Sequence, residues 1–566
     1  MKNKAKEIIK AIPLGGHAEI GKNCWVLEYQ DEILILNFGM MLPGMDISGV
    51  DLIFPNINYL LENQQKIKGL ILTSAHDDFS GGVNYLLSKI KIPKIVGSEL
   101  AIECIKSQLK DKSKLPEIDF LESRKKFAIG NFNITSITNT SVLPDTYGLF
   151  IESPGGNILY TGSYKVDQTP PDSVPFDYYM YSKAGEDGVD LLISDSSNLE
   201  SAGYSPSERS ITKRFDEIFK NSTGRVIIVG YASSLHKYSI FFKLAEKNKR
   251  KVCICSEYLQ SKINAAISTG HIKVNEKLFV DKNQIENLKD EEIVFIASGK
   301  YGDFLSSLMN IANANHPVIK VKPTDIVVVS ANPPPGTARI LAHTIDQFFV
   351  QKVQVIGGRG QGVHVAGHAA QEEAKLILTI TKPRSFVPSF GEERQLVLYG
   401  NFAEMIGSNR NDIHIMKNGD ILELREQVAR VSGKIPAQAV YYNQTKGLDI
   451  DELTMKERIS LSKEGTITIA IALDEKRNIV AGPEIIAEAC AFAKGKDWRA
   501  FCLGTIELVK EAINKLEEKE TKDTLDLRTV IRDIINKTVL ELIGKRPLIN
   551  VSIQEIGKKF EKANIA

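Results

Sequence analysis

The stretch Leu72–Gly82, LTSAHDDFSGG, ends the apolar run KGLIL (68–72) and leads into the pattern GGVNYLLSKI (81–90). A β-branched and aliphatic run followed by polar residues, a glycine pair and a helical pattern predicts a strand, a turn and a helix. His76 and Asp78 stand two residues apart in that turn, so an imidazole and a carboxylate emerge together at a strand end. This is how a hydrolytic metal site begins. An H-x-H-x-D-H element supplies four ligands from one turn, and a two-metal centre holds its cations about 3.5–4 Å apart around an activated water. Here the element reads S-A-H-D-D-F, with Ser74 and Phe79 at the other two ligand positions. Half of the donor set is thus replaced by a neutral hydroxyl and by a ring that cannot coordinate.

Around this turn, the first half of the chain is a series of short apolar runs broken by Gly, Pro and Asp. They are CWVLEY, EILILNF, KGLILTS, PKIVGS, NFNITSIT, GLFIESP, GNILYTG and VDLLISDSS. Their length and punctuation predict a mixed αβ domain with much of its sheet antiparallel. From about 224 to 365 the rhythm becomes strand, helix, strand: GRVIIVGYA, EEIVFIASG, DIVVVSANP and KVQVIGG alternate with amphipathic helices. Continuous apolar strands of that kind predict a parallel sheet covered on both faces. A polar stretch of about 430–460 reads as a connector, and the last hundred residues follow a compact β-β-α-α-β pattern.

The bulk properties narrow the function classes. At 566 residues the chain is long enough for three or four domains of about 150 residues. Hydrophobic residues at 43% and charged residues at 25% describe a globular protein. No apolar run approaches the roughly 18–20 residues that span a bilayer, and MKNKAKEIIKAIPLGG has no leader-like apolar core. A cytoplasmic protein without a membrane partner is expected. Net charge is only +1, so contact with nucleic acid would depend on local basic patches. The six cysteines are scattered, and Cys253 and Cys255 are expected on one face of a strand as small buried hydrophobes. GGRGQG (357–362) lacks the lysine of a nucleotide-binding P-loop. His17, His271, His316, His343 and His414 are isolated and read as ordinary surface or core residues.

Further stretches extend the pattern in co-linear order. They are IPLGGHAEIGKN (12–23), YTGSYKVDQTP (160–170), LLISDSSNLESAGYSPSERSI (191–211), GYASSLHK (230–237), GVHVAGHAAQEE (362–373), VPSFGEER (387–394), NIVAGPEII and GKRPLINV. Through them the chain resembles ribonuclease J, a group of the metallo-β-lactamase superfamily with an inserted β-CASP domain. The resemblance implies an α/β protein: a metallo-β-lactamase αββα sandwich, an inserted β-CASP α/β domain and a small α+β C-terminal domain. The expected boundaries are 1–212 and 366–430 for the sandwich, 213–365 for the insert, 431–462 for a linker and 463–566 for the C-terminal domain.

The same resemblance implies seven metal-ligand positions. The opening motif gives Ser74, His76, Asp78 and Phe79. The histidine of an NHSIPDS element corresponds to Thr140 in NTSVLPDT, which has one extra residue before Pro144. The bridging aspartate of YTGDFK is Ser163, and the last histidine, of PVHGE, is Phe390. A supporting aspartate is replaced by Asn37. His76 and Asp78 therefore remain as vestiges on different metal positions, while Ser74, Phe79, Thr140, Ser163 and Phe390 mark lost ligands. No metal cofactor is predicted, with Zn or Mn the ion any residual site would take.

The phosphate-handling elements are better kept. The family's HVSGHAS element is represented by His364, Val365, Ala366, Gly367 and His368, with alanine at both serine positions. His368, which the family uses at the scissile phosphate, and Asp195 of SDSS are the catalytic candidates. Ser233 and His236 match an SNxH element and join the loop as RNA- or phosphate-binding candidates. Lys165, Lys237 and Arg359 are candidates to line an RNA path. Three readings follow. The first is a catalytically inactive protein of RNA processing and decay, a structural or RNA-binding subunit in a homo-oligomer (dimer or tetramer) or with an active ribonuclease J paralogue. The second is an active metal-dependent 5′-3′ exoribonuclease and endoribonuclease with a rearranged site. The third is a regulatory sensor of an RNA 5′ phosphate or a nucleotide.

Overall fold

The computed structural model describes residues 7–556 except 45–46, 48, 110–112, 114, 335, 359, 477, 491–494, 518–523 and 545. Arg359 thus lies outside the described residues. The described chain forms two units, one from the N-terminal region to Leu42 with Asp51–Val440, the other from Pro43–Val50 with the chain from Tyr441 onward.

In the first unit, an eight-stranded sheet has the order Val428–Lys434, Asp420–Arg425, Ile8–Gly15, Cys24–Tyr29, Glu32–Leu36, Ile67–Leu72, Lys94–Gly97, Glu117–Phe120. It is antiparallel up to Glu32–Leu36 and parallel beyond it. A six-stranded sheet has the order Ser385–Ser389, Leu191–Asp195, Gly156–Tyr160, Thr146–Ser153, Phe132–Asn139, Lys126–Ile129. Trp25, Leu34 and Ile71 from the first sheet meet Phe132, Leu149, Ile158 and Val387 from the second in one core. Helices Tyr178–Asp187, Gln371–Thr381 and Glu393–Met405 cover the second sheet's other face through Tyr181, Ile377 and Tyr399. This is the αββα sandwich that the motifs imply.

Between its strands the sandwich carries a five-stranded parallel sheet in the order Lys251–Ile254, Ile293–Ala297, Val226–Val229, Ile326–Val329, Gln354–Gly357. Ile227, Phe295 and Val327 pack with Leu308 and Phe348 of its helices. Cys253 lies in the first of these strands and Cys255 just beyond its end, with Sγ atoms 3.9 Å apart.

The second unit has a three-stranded sheet, Ile479–Glu488, Thr466–Leu473, Leu548–Glu555, antiparallel then parallel. Ile467, Ile469 and Leu473 alternate toward helices Gly495–Glu517 and Thr524–Ile543, meeting Val509, Ile531 and Ile535.

The connector expected over 431–462 is instead structured. It holds the end of the edge strand Val428–Lys434, the hairpin Val440–Asn443 with Leu448–Ile450, and the helix Glu452–Glu464. Its polarity reflects exposure. Six of the seven residues of the edge strand face solvent, and of the helix only Met455 is buried. Asp451 caps that helix, accepting from Thr454 N at 2.8 Å. Among the described residues, no helix is long and apolar enough to cross a membrane.

Candidate functional site: a metal-type centre filled by aromatic rings

The turn after Ile67–Leu72 is fixed mainly by main-chain bonds. Asn23 N donates to Asp78 O (2.8 Å), Met40 N to Asp77 O (2.9 Å) and Phe38 N to Phe79 O (2.9 Å). A Cβ on Gly39 would run into the Asp78 carbonyl, so only glycine admits this approach. Asn37, fully buried and left-handed at φ +62°, accepts from Thr73 N (2.9 Å) and Thr73 Oγ1 (3.0 Å). Its amide donates to Tyr160 Oη (3.0 Å), which donates to Asn23. The side chain at 37 thus still organises the strand end as an amide.

Within the turn, His76 caps the short helix Asp77–Ser80: its Nδ1 accepts from Asp78 N at 3.2 Å and lies 3.5 Å from Asp78 Oδ2. Ser74 is buried and accepts from His76 N. Phe79 and Phe390 are each 1% exposed and pack with ring centroids 4.8 Å apart. Phe390 also lies 5.6 Å from the His368 ring. Ser163 Oγ is 3.4 Å from His368 Nδ1 and 3.3 Å from Ser141 Oγ.

Thr140 is not at this centre. Its hydroxyl donates to Lys165 O (2.5 Å) and accepts from Asp167 N (3.0 Å), so it faces the neighbouring loop. Ser141 is the residue that reaches Ser163, and it also approaches Gly367 O at 3.5 Å. The signal was in the sequence: counting back from Pro144-Asp145, instead of forward from Asn139, aligns Ser141 with the family's histidine.

The surviving polar groups are bound to one another. His368 Nδ1 is 2.6 Å from Asp195 Oδ2. Burial opposes charge on the His368 ring, but the adjacent Asp195 carboxylate outweighs it and raises the pKa. His76 goes the other way: burial holds it neutral down to about 3. Asp78 is pushed up to about 7 by burial and by the neighbouring Asp77 carboxylate. Lys262, from the insert's helix Glu257–Ser268, pairs with Asp77 at 2.9 Å and donates to Ala75 O, while Tyr258 also donates to Asp77. No sequence signal marked Lys262, one of several polar residues in its helix. Among the described residues, no three His, Cys, Asp or Glu side chains converge as metal ligands. One imidazole, already serving as a cap, and one carboxylate beside two phenyl rings do not fit a dinuclear pair.

The loop 364–368 packs against the turn at 139–147. A Cβ on Gly367 would collide with Val142, so glycine is needed there too. His364 Nδ1 is 2.5 Å from Lys237 Nζ, which also donates to Ser330 O (3.1 Å). Burial and that ammonium hold His364 well below its ordinary pKa. Burial likewise lowers Lys237 to about 8. Val365 is buried, and Ala366 O accepts from Lys165 Nζ at 3.2 Å. Lys165 is itself buried with Glu208. Lys165 and Lys237 are therefore internal braces and do not line an open RNA path. Ser233 is buried ahead of helix Leu235–Lys247. His236 does not join His364 and His368: its Nε2 lies 3.7 Å from Asp172 Oδ2, in a separate cleft.

An αββα sandwich with an α/β insert and a ligand-depleted metal turn defines a metallo-β-lactamase-type protein of β-CASP architecture. The description "Ribonuclease J, beta-CASP domain" matches residues 223–348, and "Ribonuclease J C-terminal domain" matches 453–556. Ribonuclease J of Synechocystis sp. is 38% identical over 487 residues, covering 86% of this chain and 76% of its own. Ribonuclease J2 of Bacillus subtilis is 31% identical over 560 residues, covering 98% of this chain and 100% of its own. A protein of unknown function from Enterococcus faecalis V583 shares the fold, with TM-score 0.51 and 14% identity over 74% of this chain and 100% of that one. The chain belongs to the ribonuclease J family. That membership associates it with RNA processing and decay.

Proposed function

We propose that this chain is a catalytically silent ribonuclease J paralogue that acts by binding, as a structural or RNA-holding subunit. The observation that carries this reading is the Phe79–Phe390 pair, packed where two metal-binding histidines are expected. Phosphodiester hydrolysis in this fold relies on metal-bound water, whose pKa falls to about 7, and on cations that stabilise charge on the phosphoryl group. His76 is held neutral and is committed to its own turn, so it supplies neither function. The reading takes the protein to carry no Zn or Mn, to act in the cytoplasm, and to assemble with itself or with an active paralogue. The near-complete coverage by relatives, including the C-terminal domain, supports a subunit that keeps the family's assembly surfaces.

The test is decay of 5′-monophosphorylated RNA by the purified chain in Mn and in chelator, beside a pull-down from its own cells. No decay above a mock preparation, with recovery of an active paralogue, is the expected result. Decay that tracks the protein and stops with chelator would restore the enzymatic reading. A sensor of RNA 5′ phosphate is a second reading, favoured by His368, whose charge is sustained by Asp195. It predicts binding of 5′-monophosphorylated RNA over 5′-hydroxyl RNA, lost in His368→Ala.

A further inference from the structure

A second cleft, of about 430 Å³, opens between the sandwich and the insert and contains none of the seven ligand positions. Its volume falls in the range of small-molecule sites, about 300–1,000 Å³. Helix Leu235–Lys247 contributes His236, Ser239 and Lys243, which recur at i, i+3 and i+7 and so share one face. His271 and Lys273, from the turn after helix Glu257–Ser268, also line it, together with Asp145 and Asp172.

These residues form two partly buried acid–base pairs. Asp145 accepts from Leu100 N (3.0 Å) and stands 3.5 Å from His271 Nε2, and Asp172 stands 3.7 Å from His236 Nε2. His271 Nε2 is a buried atom, and the Asp145 carboxylate is the group that faces it. Among the described residues, the side chains of Ser239, Lys243 and Lys273, which line the same cleft, have no hydrogen-bond or ion-pair partner. Two unpaired ammonium groups and a hydroxyl lining one cleft suit a dianionic phosphate. The Asp145 and Asp172 carboxylates of the cleft would repel a second anionic group but accept hydrogen bonds from hydroxyls.

We propose that this cleft binds a small phosphomonoester bearing hydroxyl groups, its phosphate on Lys243, Lys273 and Ser239 and its hydroxyls toward Asp145 and Asp172. The site is independent of the metal-type centre and does not rest on that centre being silent. A sugar phosphate and a nucleoside monophosphate share this chemistry, so both serve as probes.

The test is calorimetric titration of the full chain with ribose 5-phosphate, uridine 5′-monophosphate and inorganic phosphate. At least one ester should bind saturably at one site per chain, more tightly than inorganic phosphate. Loss of two charged contacts in Lys243→Ala/Lys273→Ala should weaken it by about tenfold or more. Both lysines are exposed, so the variant's unchanged melting temperature certifies its fold. Whichever ester binds names the class. The proposal fails if neither ester saturates at millimolar concentration, if the double variant binds as wild type, or if inorganic phosphate binds as tightly as the esters. It also fails if His368→Ala, at the other centre, abolishes the binding.

Discussion

The turn Leu72–Gly82 and the loop 364–368 face the same centre and have fared differently. At the turn, the main chain keeps its bonds to 23 and 38–40 while two of its four donor side chains are gone. In the loop, both histidines remain, each locked to a partner: His364 to Lys237 and His368 to Asp195. The difference teaches what a metal site's frame depends on. Main-chain hydrogen bonds and a close-approach glycine hold the turn whichever side chains it carries at 74 and 79. The loop's histidines also brace the protein, which gives them a structural reason to stay.

If the rings at 79 and 390 have taken over as core, removing either should be the costliest change. Phe390→Ala or Phe79→Ala is expected to lose about 3–5 kcal/mol in denaturant unfolding. A loss below about 1 kcal/mol would mean that the rings merely occupy a loose pocket. The two neighbouring hydroxyls sharpen the contrast between frame and donor. Thr140→Val leaves the Asp167 amide buried without its acceptor and is expected to cost about 1–3 kcal/mol. Ser141→Ala, at a position that now serves little besides Ser163, should cost less than about 1 kcal/mol. Reversal of that order would return Thr140 to the centre.

The loop is tested by titration. Asp195→Asn removes the carboxylate that sustains charge on His368, leaving burial to drive its pKa below the ordinary value of about 6.5, read by imidazole NMR. The sign for stability follows. His368 has a raised folded pKa, so its contribution is fully present below about 6.5 and is lost as pH rises through the folded value. That slope should reverse in Asp195→Asn, where the folded pKa lies below the unfolded one and stability is lost as pH falls below about 6.5. His76 and His236 should stay neutral until about pH 3, which burial imposes on both.

Much of this was readable in the chain. Runs such as EILIL and VIIV, bounded by Gly, Pro and Asp, are short enough and apolar enough that strands were the only economical reading. The strand Val428–Lys434 and the helix Glu452–Glu464 escaped because they are solvent-covered and carry no apolar period. The lost ligands were legible as residue types. Where their side chains went was not, because it depends on packing between segments hundreds of residues apart: Phe79 with Phe390, Asp77 with Lys262. His271, read as isolated, sits beside Asp145 for the same reason. Ser141 was missed through an insertion that shifts the count by one.

The central claim is that this fold stands without metal. Elemental analysis of the full chain, purified without chelator and measured beside its melting temperature in chelator, tests it most directly. Zn and Mn well below one ion per chain, with a melting temperature that chelator leaves unchanged, is the result predicted. Close to two ions per chain, lost with chelator together with a fall in melting temperature, would contradict it.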